Sequence, residues 1–184
     1  MTASIQKFIF SNTADELYPL TVRIIGNIAA QISVGDELDF KLKMVLIELL
    51  TNSLKHSGYG QTVIELSVTS DAITIKKVDK GTQLALTLGG QKITWPVTQE
   101  YIDETAIIYG DGTCTLKAII RNHHRANFFI EEEAEPAGCD TDYITSLNEH
   151  FGLMIITRAC NDFAYEFDEK TATNNFIATL VVKA

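Results

Sequence analysis

The stretch that decides the fold is residues 47–56, which read IELLTNSLKH. Glu48, Asn52 and His56 are spaced four residues apart, so on a helix they form one row along its side. A carboxylate and an amide one helical turn apart can serve a single ligand. The amide oxygen of Asn52 suits a hard cation such as Mg²⁺, and the carboxylate of Glu48 can accept a proton or orient a water.

The same segment carries the apolar pattern of an amphipathic helix over about residues 37–57. Asp36 or Asp39 can cap its start, and Gly58 can end it. The predicted core-facing stripe follows i, i+4, i+7, i+10 and i+14, namely Phe40, Met44, Ile47, Leu50 and Leu54. A glutamate and an asparagine four residues apart are also ordinary on an exposed helix, so spacing alone leaves the functional and the ordinary interpretation open.

Composition places the chain among ordinary folded proteins. It has 184 residues, 46% of them hydrophobic and 21% charged, which is enough for one buried core and argues against disorder. We therefore treat residues 1–184 as a single domain. The formal net charge of −9 argues against binding to a nucleic acid backbone, which requires a basic surface.

Targeting signals and cysteine spacing indicate the cytoplasm. No segment reaches the roughly 18 apolar residues that a membrane-spanning helix requires, so no membrane association is predicted. The first ten residues lack the basic start and apolar core of a signal peptide. Cys114, Cys139 and Cys160 are widely spaced and form no CxxC pair, so the pattern predicts neither a zinc site nor a disulfide framework.

Hydrophobic periodicity divides the chain into helices, strands and one long insert. Residues 83–147 read as a β-rich insert with glycine-marked turns. The other predicted elements are a strand at 3–10, helices at about 15–33, 37–57 and 143–160, a strand pair at 63–68 and 73–78, and closing strands at 163–167 and 176–182.

Two further motifs follow the helical row in a recognisable order. Asp79-Lys80-Gly81 ends the second strand of the hairpin, and Gly152-Leu153 opens the last helix. With the Glu48–Asn52–His56 row, the chain resembles the GHKL (Bergerat-fold) ATPases, the superfamily of gyrase, histidine kinases and related chaperones. Within that superfamily it is most similar to the small bacterial anti-sigma-factor serine kinases. The matched framework covers residues 1–82 and about 148–184.

The resemblance implies an ATP or ADP site that contains Mg²⁺. It assigns Asn52 as the ligand of Mg²⁺ bridging the phosphates. It assigns Glu48 as the catalytic residue that orients or deprotonates the nucleophile, either water or a partner's serine hydroxyl.

The other two motifs would hold the nucleotide at its two ends. By resemblance, Asp79 accepts a hydrogen bond from the adenine amino group, and Gly81 lets the backbone approach the base. Gly152 and Leu153 belong to the box whose helix presents backbone N–H groups to the phosphates.

The fold implied is a two-layer α/β sandwich of Bergerat type. Its mixed, mostly antiparallel sheet would be covered on one face by helices, with the 83–147 insert as an extra β-rich elaboration at the lid position. The function implied is an ATP-binding regulatory protein that binds a protein partner, a sigma factor or its antagonist. Transfer of phosphate to a partner's serine is the enzymatic activity it would carry, and small family members often form homodimers.

Departures from the family pattern motivate an alternative function. Gln83 replaces the second glycine of the D-x-G-x-G box, and His150 replaces the first glycine of the G-x-G-L box. The insert is also far longer than the corresponding segment of small family members. The alternative is a non-catalytic protein-interaction module with a degenerate nucleotide pocket. A third interpretation is a general α/β domain in which the helical row is a coincidence.

Overall fold

The computed structural model describes residues 4–58, 60–110, 113–132 and 151–182. Within these ranges the helices are α1 (Ala14–Ala29), α2 (Asp36–His56) and α3 (Phe151–Ala159). The strands are β1 (Ile5–Phe10), β2 (Thr62–Val68), β3 (Ala72–Asp79), β4 (Leu86–Leu88), β5 (Gln91–Ile93), β6 (Thr105–Gly110), β7 (Cys114–Asn122), β8 (Arg125–Glu132), β9 (Asp162–Asp168) and β10 (Thr173–Val181).

Eight of these strands form one sheet in the order β1-β2-β3-β10-β9-β8-β7-β6. Every neighbouring pair in it is antiparallel, and β4 and β5 form a separate antiparallel pair. The protein is therefore a mixed α/β fold with a large antiparallel sheet, which confirms the predicted fold class at this level. The parallel pairings that a mixed sheet would contain are not found among the described strands.

Strands β3 and β10 are neighbours in the interior of the sheet, and their pairing places several polar side chains close together. Ile73, Ile75, Lys77 and Asp79 of β3 are buried and alternate with partly exposed residues, as the two-residue period of a strand requires. Across the ladder, Lys77 lies opposite Phe176, and Asp79 lies opposite Asn174. A lysine and an aspartate thus continue the apolar side of β3 at its carboxyl end.

Helix α2 forms where predicted, but its buried side differs from the predicted stripe. Phe40 is 63% exposed and Ile47 is 36% exposed, so that prediction is wrong for both residues. The buried residues follow i, i+3, i+4, i+7, i+8 and i+11, namely Leu42, Val45, Leu46, Leu49, Leu50 and Ser53. This side is broad because α2 packs against both α1 and α3.

The other helices match their predicted positions in part. Helix α1 spans Ala14–Ala29, shorter at its end than the predicted 15–33. Helix α3 spans Phe151–Ala159, and residues 143–150 of the predicted helix lie outside the described residues. Within the described ranges, no helix is both long enough and apolar enough to span a lipid bilayer.

The insert is β-rich as predicted, but most of it is not a separate elaboration. Strands β6, β7 and β8 extend the main sheet, because β8 pairs with β9 through Arg125–Asn127. The β4–β5 hairpin is the part that stands apart from the sheet. The alternating apolar residues of β7 are buried like those of β3, so these strands share in the main core.

Candidate functional site

The motif residues converge on a cavity of about 230 Å³ beside α2. Of the six predicted site residues, Asn52, Asp79 and Leu153 line this cavity directly. The rest of the lining is His56, Lys77, residues 82–85 and Phe176. Helix α2, the end of β3 and the start of α3 therefore meet at one place, although they are far apart in the sequence.

Glu48 and Gly152 lie against each other next to this cavity. A Cβ atom on Gly152 would be 2.6 Å from Oε2 of Glu48 and 3.7 Å from Oδ1 of Asn52. The missing side chain leaves space for the Glu48 carboxylate at the beginning of α3. Burial raises the pKa of Glu48, and the nearby charge of Lys55 opposes this shift only in part. A carboxylate with a raised pKa is better suited to proton transfer near neutral pH.

This shift predicts how Glu48→Gln changes stability with pH. Because the folded state raises the pKa above the unfolded value of about 4.3, the folded protein holds this proton more tightly. Ionisation of Glu48 therefore costs more free energy in the folded protein than in the unfolded chain, and the wild type loses stability as the pH rises above about 4.3. We expect Glu48→Gln to gain stability relative to the wild type as the pH is raised from there toward neutral, measured by urea unfolding.

The matched control for that measurement is Glu37→Gln. Glu37 lies in the first turn of the same helix, is 78% exposed and pairs with Lys41 across one turn. Because this carboxylate is exposed, its replacement should change the stability with pH less than Glu48→Gln does. A wild type that becomes more stable relative to Glu48→Gln with rising pH would contradict the assignment of Glu48 as a half-buried carboxylate with a raised pKa.

Asp79 is the centre of a buried polar network. Its side chain forms an ion pair with Lys77, with 2.9 Å between Nζ and Oδ2, and the two side chains are 2% and 4% exposed. Oδ1 accepts hydrogen bonds from the backbone N–H of Gly81 at 2.8 Å and from Nδ2 of Asn174 at 3.3 Å. Burial by itself would raise the pKa of Asp79, but the charge of Lys77 and these hydrogen bonds outweigh burial and lower it.

Asn174 and Tyr165 fix this network to the neighbouring strands. Nδ2 of Asn174 also donates to the carbonyl oxygen of Gly81 at 2.9 Å, and its Oδ1 accepts from the hydroxyl of Tyr165 at 2.7 Å. Burial raises the pKa of Tyr165, so the phenol remains protonated and donates. Each oxygen and nitrogen of the Asn174 amide thus has a partner, as buried polar groups require.

Sequence reasoning missed Lys77, Asn174 and Tyr165 as members of the site. Lys77 did carry a signal, because it occupies a position where the alternation of β3 calls for an apolar residue. Asn174 and Tyr165 carried none, since their contacts depend on which strands become neighbours in the sheet.

Gly81 has a packing role that the sequence did not reveal. A Cβ atom there would be 2.3 Å from the carbonyl oxygen of His56 and 2.8 Å from Cα of Ser57. The next residue, Thr82, donates its backbone N–H to the same oxygen at 3.2 Å. The glycine therefore lets the chain just after β3 pass close to the end of α2, and its predicted approach to a base stays a prediction.

Gln83 lines the cavity and forms hydrogen bonds with a later part of the insert. Its amide forms two hydrogen bonds of 3.2 Å with the backbone N–H and carbonyl of Trp95. The indole N–H of Trp95 donates to the carbonyl of Leu84 at 2.9 Å. Gln83 thus holds the chain around Trp95 beside the cavity wall. His150 lies outside the described residues.

The arrangement combines an apolar wall, a buried acceptor and two polar groups from one helix. Leu84, Leu153 and Phe176 supply the apolar wall, and the Asp79 carboxylate supplies the acceptor. Asn52 and Glu48 lie on the side where α3 begins. Such a site can bind a flat apolar group with a polar edge together with a charged tail. Comparison of the sequence with protein-family models and with curated proteins gives no match.

Proposed function

We propose that this cavity binds an adenine nucleotide and that the protein is an ATP-binding regulatory protein of the anti-sigma-factor serine kinase type. The observation that carries the proposal is the convergence of three sequence motifs on one cavity. Asn52, Asp79 and Leu153 come from three different elements and line it together. A chance match of short motifs gives no reason for the three to meet.

The burial of side chains on one side of the sheet supports the finer fold assignment, which is a two-layer sandwich of Bergerat type. Side chains on one side of the sheet are buried from Ile64 of β2 through Ile75 of β3 to Ala118 of β7. Helix α1 contacts β1, and α3 contacts β8 and β9. Helices that cover one face of a sheet would produce this one-sided burial.

The size of the cavity fits the base alone. About 230 Å³ is less than the roughly 300–1,000 Å³ typical of pockets that enclose a whole drug-sized ligand. We therefore place the base between Leu84, Leu153 and Phe176, with its polar edge toward Asp79. The sugar and phosphates then extend toward Glu48 and Gly152.

The residues near α3 suit phosphates and a magnesium ion. Mg²⁺ in nucleotide sites keeps several waters and binds substrate phosphates with only one or two protein ligands, so one amide oxygen from Asn52 is a fitting protein contribution. By the resemblance, α3 would present backbone N–H groups and its positive dipole end to the phosphates. Bound Mg²⁺ would neutralise phosphate charge, and Glu48 would hold or accept the proton of the attacking hydroxyl.

The regulatory part of the proposal concerns a protein partner. A sigma factor or its antagonist is the partner that the resemblance implies, with a serine hydroxyl as the group that receives phosphate. A cytoplasmic location and a homodimer belong to the same proposal. The net charge of −9 favours basic over acidic partner surfaces.

Titration of ADP against Asn52→Ala tests the nucleotide and metal roles together. We expect the wild type to bind ADP with micromolar affinity in Mg²⁺ and more weakly in EDTA. Asn52→Ala should weaken binding in Mg²⁺ by about tenfold and have little effect in EDTA, because Asn52 acts through the metal. Isothermal titration calorimetry measures both conditions.

Asn27→Ala is the matched control, because Asn27 lies on α1 and does not line the cavity. It should bind like the wild type in both conditions. Folded wild-type protein that shows no saturable binding at millimolar ADP would contradict the nucleotide site. An undiminished effect of Mg²⁺ in Asn52→Ala would contradict the metal role alone.

The second candidate function is that of a non-catalytic protein-interaction module. It is favoured because the Asp79 carboxylate already has hydrogen-bond partners within the protein. Lys77 already satisfies one oxygen of Asp79, and Gln83 fills the position of a family glycine. Under this alternative, ADP gives no heat in the titration. Glu48→Ala and Asn52→Ala then leave partner binding unchanged, and a large loss of partner binding in either variant would contradict the alternative.

A further inference from the structure

Lys77 is the charged group of the cavity that no motif accounts for. Its side chain is 2% exposed, lines the cavity and pairs with Asp79. Its ammonium also lies over the ring of Phe176, 4.9 Å from the centroid. An ammonium has three donors, and within the described ranges Asp79 is the acceptor recorded for it. A ligand acceptor in the cavity would engage a second donor.

The Asp79 carboxylate has limited room for a ligand. A carboxylate offers about four acceptor positions, two on each oxygen. Gly81 and Asn174 use both positions of Oδ1, and Lys77 uses one of Oδ2. One acceptor position therefore remains, and it is on the oxygen that faces Lys77. The site offers a ligand one acceptor directly beside one charged donor.

We propose that Lys77 determines base specificity by donating a hydrogen bond to N1 of adenine while Asp79 accepts one from the 6-amino group. This inference rests on the proposed nucleotide site. In adenine, N1 and the amino nitrogen are attached to the same ring carbon. The distance between these two nitrogens is therefore slightly less than the 2.9 Å between Nζ of Lys77 and Oδ2 of Asp79. The adenine edge thus matches the donor and acceptor in spacing as well as in type.

The same arrangement disfavours guanine. Guanine presents two adjacent donors, N1–H and the 2-amino group, next to its O6 acceptor. O6 can meet Lys77 and N1–H can meet Asp79, but the carboxylate has no position left for the 2-amino group. A buried donor without a partner costs about 1–3 kcal/mol, so guanine binds more weakly than adenine.

The apolar side chains of the cavity would strengthen the hydrogen bonds between the base and these two residues. Leu84, Leu153 and Phe176 line the cavity together with Lys77 and Asp79, and their side chains offer no hydrogen bonds that would compete for these two groups. In such surroundings a charge-assisted hydrogen bond is stronger than in water. Lys77 therefore contributes to affinity and discriminates between bases, in addition to neutralising Asp79.

Binding of different nucleotides to the wild-type protein tests the proposal without any substitution in the chain. ADP, GDP and 1-deaza-ADP, in which a C–H group replaces N1, are titrated against the wild type in Mg²⁺. We expect 1-deaza-ADP and GDP each to bind at least about tenfold more weakly than ADP. Equal binding of ADP and 1-deaza-ADP overturns the role of Lys77 and leaves the nucleotide site intact. Absence of ADP binding overturns the nucleotide site and this inference with it.

Two lysine variants sharpen the result. Lys77→Met should bind ADP and 1-deaza-ADP equally, because it has no donor for N1. Lys80→Met is the matched control, since Lys80 is exposed one residue beyond Asp79, and it should keep the full difference between the two ligands. A difference that persists in Lys77→Met overturns the proposal. If Lys77→Met does not fold, the wild-type titrations decide by themselves.

Discussion

Asp79→Asn is expected to lower the free energy of unfolding by about 3–5 kcal/mol, the loss typical of breaking a buried ion pair from one side. The variant leaves the ammonium of Lys77 at 2% exposure opposite a neutral amide. The lost interaction is one part of this loss, and the uncompensated buried charge is the larger part. Urea unfolding at pH 7 measures it.

Two further variants separate the buried charge from other effects of the substitution. Combining Lys77→Met with Asp79→Asn removes both charges, so it should recover most of the loss. Lys7→Met is the matched control on the same sheet, because Lys7 is 65% exposed and pairs with Glu65 at 2.8 Å. It should change stability by less than about 1 kcal/mol. A loss in Asp79→Asn as small as that control would contradict the buried ion pair.

Acid unfolding provides an independent check on Asp79. Its pKa is lowered in the folded protein, so its stabilisation is present above the unfolded value of about 3.9. That stabilisation disappears as the pH falls through the lowered folded pKa. Asp79→Asn lacks this group, so its stability should fall less steeply below pH 4 than that of the wild type.

Local elements of the fold could be predicted from the sequence because local chemistry determines them. The start of α2 follows Gly35, and its end precedes Gly58, which has a positive φ of 59°. The strands β2 and β3 follow from their alternation. The place of β10 between β3 and β9 could not be predicted, because it depends on pairing across about 100 residues.

The candidate site could likewise be predicted where its residues belong to local motifs, but not where strand pairing places them. Asn52, Asp79 and Leu153 belong to short motifs, and they line the cavity together. Asn174 faces Asp79 only through the register of β10 on β3, which no local pattern encodes. Lys77 was visible as a charged residue in an apolar alternation, and such a residue on a central strand predicts a buried partner.

Gly81→Ala is expected to destabilise the protein by about 3 kcal/mol or more, near the upper end of the range for overpacking. Its Cβ would be 2.3 Å from the carbonyl oxygen of His56 and 2.8 Å from Cα of Ser57. Both are backbone atoms at the end of α2, so no side chain can turn away to relieve the contact. Separation of the two elements would also strain the hydrogen bond from Gly81 to Asp79.

Gly26→Ala is the matched control for the conformational effect of removing a glycine. Gly26 lies inside α1 with no atom within 4 Å of the added Cβ, so alanine there should stabilise the protein by about 0.5–1 kcal/mol. Urea unfolding measures the change in the free energy of unfolding for both variants. A loss at Gly81 and a gain at Gly26 would show that Gly81→Ala destabilises the protein through its contact with α2. Stabilisation by both substitutions would mean that the chain at Gly81 does not pass the end of α2 this closely. The helix that supplies Asn52 and the strand that supplies Asp79 would then be placed differently relative to each other, and the cavity between them would differ as well.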